Sequence, residues 1–184
     1  MKKTLLLILW LGYSTTNGFA FDLIFEADPM PFLFNGSSKA VAIKPNSEGH
    51  WALWMAEFDM ELPEEMINLE KKNKDQGFSH VITPSKGLSL DYLLNPDLDG
   101  LYFGAGHFII NNEVSLGDET QTFEITYNFV RVGYYWQISK SFLFHLWLSA
   151  GPQSITEGTN LFDGATYEVA GTRILGGPHF SYKF

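Results

Sequence analysis

The side chains best suited to chemistry are the histidines at 50, 80, 107, 145 and 179 and the serines near them. His179-Phe180-Ser181 is the single His-x-Ser in the chain. On a strand, residues two apart share a face. His145 and Ser149 also share a face, but four residues of strand hold them ~13 Å apart, too far for nucleophile and base. His107 could join His145 only from another strand, which spacing alone leaves open. Asp97-Leu98-Asp99-Gly100 has the Asp-x-Asp-Gly core of a calcium loop. Its twelfth position is Phe108 where such a loop needs an acid, so a tight turn is the better reading. No His, Cys or acid spacing suits a metal, and no glycine-rich phosphate loop is present. The expectation is no catalytic residue, no cofactor and no metal.

The elements that hold these side chains show best in the last stretch, Gly171 to Phe184. Ile174, Gly176, Pro178, Phe180, Tyr182 and Phe184 fall on one parity, and Arg173, Leu175, Gly177, His179, Ser181 and Lys183 on the other. That two-residue period, aromatic against polar, describes a strand with a different solvent on each side. A transmembrane β-barrel needs such strands.

The 184 residues suit one domain behind a leader. Lys2 and Lys3 precede a short apolar run from Leu5 to Leu11, and Gly18-Phe19-Ala20 supplies small residues for cleavage. A signal peptide over 1–20 and a barrel domain over 21–184 follow. Removing the two leader lysines leaves ten of the twelve basic residues against 21 acidic ones, a net charge of −11. This excludes the basic stripe of a nucleic-acid binder and the polybasic patch of a lipid-surface protein. The chain has no cysteine, so no disulfide staples it. No later stretch approaches the ~18 consecutive apolar residues of a membrane helix.

In chain order, Asp22 to Phe34 reads as an irregular strand broken by prolines, Asn35-Gly36 as a turn, and Ser38 to Lys44 as a short strand. Trp51 to Leu62 alternates Ala52, Trp54, Ala56, Phe58, Met60 and Leu62 against Glu57, Asp59 and Glu61. The apolar row is expected to face lipid and the acids the interior. Pro63 to Lys86 reads as a long loop with a short helix. Strands follow at Gly87 to Asn95 and Leu101 to Asn111, then polar loop from Asn112 to Gln121. In Thr122 to Gln137 the apolar parity switches after Phe129. A bulge near Phe129-Val130 would keep both apolar sets outward and send Glu124, Asn128 and Arg131 inward. Phe142 to Ser149 is a clean strand, Gly151 to Gly164 a loop, and the last strand begins around Thr166 to Gly171.

This totals about eight antiparallel strands, an all-β up-and-down transmembrane barrel whose interior side chains just fill. An even count puts both termini on one side, with the short connections near Asn46, Asp97 and Lys140. The polar residues expected in the lumen are Glu57, Asp59, Asp91, Glu124, Arg131, His145 and Arg173. An aromatic girdle beside the short turns is expected from Trp51, Trp54, Tyr92, Tyr102, Tyr134, Trp136 and Phe142, joined by Tyr182.

On this pattern, and on its aromatic last strand, the chain resembles the small outer-membrane β-barrel proteins of Gram-negative bacteria, OmpA/OmpX-like in architecture. The resemblance implies an outer-membrane location in contact with lipid and lipopolysaccharide, reached after export. It also implies insertion by barrel-assembly machinery with periplasmic chaperones, with Phe184, Tyr182 and Phe180 as the assembly signal. The glycine of that signal is matched in part: His179 stands near its place and Gly177 two residues earlier. Fold implies no activity. A structural barrel, or one that binds an unidentified ligand through its outer loops, is the leading reading. The alternative is a lipid A-modifying barrel enzyme of deacylase or acyltransferase type. In the deacylases His and Ser stand two apart on one strand, followed by Asn. Here Tyr182 follows, and the pair falls at the periplasmic end, away from the outer leaflet.

Overall fold

Strand alternation continues through nearly every segment, and the sheet closes on itself. The computed structural model describes residues 21–184; the signal-peptide reading falls on 1–20, outside the described residues. The barrel strands are β1 (Asp22–Ala27), β2 (Ser37–Lys44), β3 (Trp51–Leu62), β4 (Phe78–Leu93), β5 (Gly100–Leu116), β6 (Glu119–Gln137), β7 (Phe142–Gly158) and β10 (Thr172–Lys183). Each pairs antiparallel with its sequence neighbour, and β10 closes on β1. A two-stranded hairpin, β8 (Leu161–Phe162) and β9 (Ala165–Thr166), lies in the β7–β10 connection. The short connections at 45–50, 94–99 and 138–141 share one end with both chain ends of the barrel. We call this the terminal end and its opposite the far end.

The wall is taller at the far end than the sequence suggests. Residues 112–121 are not loop: β5 and β6 run to a two-residue hairpin at Gly117-Asp118, where Gly117 takes a φ of 59°. Strand β4 begins at Phe78, so the β3–β4 loop spans only 63–77, and β7 runs on to Gly158. The segment Asp22–Phe34 divides into β1 and a second short helix, α1 (Pro29–Leu33). Proline suits its first turn, and the Asp28 carboxylate accepts the Met30 N–H at 2.8 Å. Helix α2 (Glu64–Ile67) occupies the β3–β4 loop.

The long strands change surroundings midway. On β6, Val130, Val132, Tyr134 and Trp136 face outward near the terminal end, and the same row continues as Asn128, Thr126 and Glu124. The opposite row reads Tyr135, Gly133 and Arg131, then Phe129, Tyr127, Ile125 and Phe123 buried inside. The β5–β6 register is unbroken, so there is no bulge at Phe129-Val130. The apolar parity switches because the inside turns from polar to apolar where the outside turns from apolar to polar. Strand β3 behaves alike: Trp51, Leu53 and Met55 face out and lead into Glu57, Asp59 and Glu61, while Ala52, Trp54, Ala56 and Phe58 face in. The expectation that the even row of β3 faces lipid is therefore reversed. On β7 the outer apolar row runs from Phe142 to Ala150. At ~3.4 Å per residue and a tilt of roughly 40°, it gives a band about 20 Å tall, close to the ~25 Å of a membrane barrel.

Inward glycines make room for large neighbours. A Cβ on Gly133 would stand 2.4 Å from the Tyr102 ring, one on Gly104 2.0 Å from Asp91 Oδ1, and one on Gly106 2.4 Å from Phe129. Small residues on one strand thus receive large ones from the next.

Candidate functional site in the barrel interior

Inside the terminal half, β4, β6, β7, β1 and β10 bring charges together. Asp91 from β4 and Arg131 from β6 form a two-pronged pair, with Nε to Oδ1 at 2.8 Å and Nη2 to Oδ2 at 2.5 Å. Both side chains are almost wholly buried. The guanidinium lies 5.8 Å from the Trp54 ring centre and 5.6 Å from that of Tyr102, so its flat faces meet aromatic walls. Two hydrogen bonds in parallel, with π faces beside them, let a charge remain in a narrow dry barrel.

Beside this pair, Glu26 of β1 meets residues from the other end of the chain. His179 Nδ1 donates to Glu26 Oε1, Ser181 Oγ donates to Oε2 at 3.0 Å, and His145 Nε2 stands 3.0 Å from Oε2. That last nitrogen is off the line a hydrogen bond needs and is left without a partner. His145 Nδ1 lies 3.2 Å from the Tyr102 hydroxyl, and the Tyr135 ring stacks on His145 at 4.3 Å between centres. Trp147 donates its indole N–H to His179 Nε2 at 2.8 Å, and Asp28 Oδ2 lies 3.3 Å from that nitrogen. Nearer the terminal end, Lys44 is fully buried, paired with Asp22 at 3.8 Å and donating to the Ser47 carbonyl. Above the polar cluster a cavity of about 180 Å³ is floored by Glu26, Asp28, Arg131 and His179 and walled by Phe58, Phe108 and Met60. Met30 and Pro31 of α1 and Met66 of α2 border it as well.

The far half is built the other way round. Ile110, Val114, Phe123, Ile125 and Phe129 form a dry core, covered by Ile67, Phe162 and Tyr167 from the connections. His80 is buried there with both nitrogens used: Nε2 donates to Asn112 Oδ1 at 2.8 Å, and Nδ1 accepts from the Tyr167 hydroxyl at 2.7 Å. Burial drives its pKa down to about 4, with Arg173 adding to the effect and Asn112 opposing it. Burial likewise pushes Tyr167 up to about 12. Asn73 ties the two longest connections by giving its amide N–H to the Glu168 carbonyl at 2.9 Å and accepting the Glu168 N–H at 2.6 Å. The long connections thus form one packed cap.

Of the polar residues expected in the lumen, Asp91, Arg131, His145 and Arg173 lie on inward parities. Asp91, Arg131 and His145 belong to the terminal-half cluster, while Arg173 stands beside Tyr127 and Tyr167 in the far half. Glu57, Asp59 and Glu124 are on the outer wall above the apolar band, a correction to the expected lumen set. Glu57 pairs with Lys39 at 3.0 Å, Asp59 accepts from the Ser37 backbone and hydroxyl, and Glu124 accepts from Thr156. Among the girdle residues, Trp51, Tyr92, Tyr134, Trp136 and Phe142 face outward, whereas Trp54 and Tyr102 are buried inside and line the Arg131 pocket. Phe180, Tyr182 and Phe184 face outward. His107 lies on the outward parity and meets Asn128 Oδ1 at 2.8 Å, and His145 meets no serine. His179 and Ser181 both bind Glu26 and do not pair with each other.

Glu26, Asp28 and Lys44 escaped the sequence reading. A signal was present in β1: Leu23, Phe25 and Ala27 alternate with Ile24 and Glu26, which marks Glu26 as the polar inward member. The Glu26, His145 and His179 ligand atoms all lie within 4.8 Å of one another, although 153 positions separate the first from the last. No spacing rule reaches across a barrel seam.

No family model matches this chain, and no curated protein matches it. Solved structures do. The N-terminal β-barrel domain of Pseudomonas aeruginosa OprF superposes with a TM-score of 0.52 at 8% identity, over 89% of this chain and 96% of that one. Neisserial surface protein A, NspA, superposes with a TM-score of 0.51 at 12% identity, over 91% and 98%. At such identities the likeness concerns the fold: this chain is an all-β, eight-stranded, antiparallel up-and-down barrel of the kind formed by the N-terminal domain of OprF and by NspA.

Proposed function

We propose that the chain is an integral outer-membrane barrel with a plugged lumen, acting as a wall component or as a binding protein through its far-end cap. The observation that carries this is the change of solvent at a common height. Outward rows that are apolar near the terminal end become polar toward the far end on β3, β6 and β7, while the inward row of β6 does the reverse. A soluble barrel would gain nothing by exposing Leu53, Leu90, Leu148, Val132 and Ile174 in one continuous belt. With the terminal end in the periplasm, the cap would stand outside the cell. Phe180, Tyr182 and Phe184 would then serve as the signal read by assembly machinery, and Trp51, Tyr92, Tyr134, Trp136 and Phe142 as the inner aromatic girdle. The Asp91–Arg131 pair and its aromatic walls block the interior, so ion flow is not the role supported. Fractionation tests the placement: the protein is expected with outer membranes, migrating faster when unheated than when boiled. Recovery in the soluble periplasm without a heat shift would sink the reading. An unchanged lipid A profile on expression is expected, since His107, His145 and the nearby serines do not assemble a base and nucleophile.

A further inference from the structure

We infer that Glu26, His145 and His179 form a site for one divalent transition-metal ion of the zinc or cobalt type inside the barrel. This goes beyond the membrane role and does not rest on it. Two imidazoles and a carboxylate are the donors that borderline ions such as Zn²⁺ take, with a fourth position left open. Their ligand atoms already lie within 4.8 Å of one another. From metal–ligand distances of ~2.0–2.1 Å, a tetrahedral site needs about 3.3 Å between ligand atoms, which modest side-chain rotation supplies.

Three further observations point the same way. His145 Nε2 is wholly buried, faces the carboxylate at 3.0 Å and has no hydrogen-bond partner. Each imidazole has a group on its other nitrogen suited to orienting a ligand: the Tyr102 hydroxyl 3.2 Å from His145 Nδ1, and Asp28 Oδ2 3.3 Å from His179 Nε2. With a metal on Nδ1, His179 would carry its hydrogen on Nε2 toward Asp28, giving up the bond it now accepts from Trp147. Charge supplies the third. Glu26, Asp28 and Asp91 share this interior with Arg131, while Lys44 is engaged with Asp22. Three carboxylates against one guanidinium leave two negative charges when both imidazoles are neutral, and a dication balances them. The cavity that Glu26, Asp28 and His179 border provides room for the open coordination position. Two protons, one on each imidazole, would balance the same charge and are the competing account.

The test is metal uptake by the whole folded barrel in detergent micelles, stripped with chelator and titrated with Zn²⁺ and with Co²⁺. One equivalent is expected to bind saturably, with the intense visible absorption of four- or five-coordinate Co²⁺. His145→Gln and His179→Gln are expected to abolish that uptake, and Asp28→Asn to weaken it by about 10–100-fold. His50→Gln, outside the cluster, should leave it intact. No saturable uptake by the unaltered protein overturns the proposal in favour of protons. Uptake that survives both histidine substitutions overturns it in favour of surface binding. Should either histidine variant fail to show the heat-dependent gel shift of a folded barrel, the thermal midpoint of the unaltered protein decides: unmoved by excess Zn²⁺, it overturns the site.

Discussion

The two halves of this barrel share the same strands and hydrogen-bond ladders, yet they solve opposite problems. In the terminal half the outside is apolar and the inside holds Asp91, Arg131, Glu26, His145, His179 and Lys44. In the far half the outside carries Glu57, Asp59, Glu113 and Thr126, and the inside holds Ile110, Ile125 and Phe129. Backbone pairing is therefore indifferent to which face is dry; side chains alone decide it. A charge is tolerated inside the terminal half because it is paired, and in the proposed membrane placement an apolar side chain is tolerated outside because lipid covers it.

The sharpest way to break this comparison is to leave one interior charge alone. Asp91→Ala strands the Arg131 guanidinium in the dry terminal half and is expected to cost about 3–5 kcal/mol. Adding Arg131→Met should recover most of that, as read by urea unfolding in micelles. A loss no larger than that of an exposed substitution would show that water fills the plug. Next in size is the wall. Leu146→Arg places a charge in the apolar belt and should cost ~2–4 kcal/mol in lipid, whereas Ser154→Arg, higher on the same outward row, should stay within about 0.5 kcal/mol. Equal costs at the two positions would erase the boundary between the halves.

Acid tests the far half. His80 is held neutral, with its pKa lowered to about 4 from an ordinary value of 6.5. The unfolded cap therefore binds the proton more readily than the folded one. Stability is fully present above 6.5 and is lost as pH falls toward 4. Between pH 7.5 and 5.5 the loss should be about 1–1.5 kcal/mol. It should be seen as faster hydrogen exchange around His80, Asn112 and Tyr167, with the terminal half of β7 unchanged. Tyr167→Phe, which removes the hydroxyl that donates to His80 Nδ1, should cost about 1 kcal/mol, confined to the same region. If either change spreads to the membrane belt, the halves are one cooperative unit.

The strands, their number and the short turns could be read from two-residue alternation. Side-chain facing was harder, because each row changes character partway. Trp51, Leu53, Met55, Glu57, Asp59 and Glu61 are one outward row that turns from apolar to acidic; its acidic end, taken alone, suggests an inward face. The step from Val130 to Asn128 on β6 carries the same message, and reading it as a change of solvent removes any need for a bulge. The polar segment 112–121 looked like loop because strands standing in water lose their outward apolar row. Glu26 could be placed on a face, but its partners could not, since His145 and His179 reach it only when the sheet closes.

That closure gives Glu26 a consequence for assembly. Strand β1 is the shortest of the wall, and its register with β10 rests on four pairs, Ile24 with Lys183 through Ala27 with Phe180. A slip of one residue would turn Glu26 to the outer face and Phe25 into the lumen. Only the correct alignment delivers the carboxylate to two imidazoles and the Ser181 hydroxyl together. The contacts of Glu26 thus favour the observed closure of β1 on β10 over a neighbouring register with the same backbone ladder.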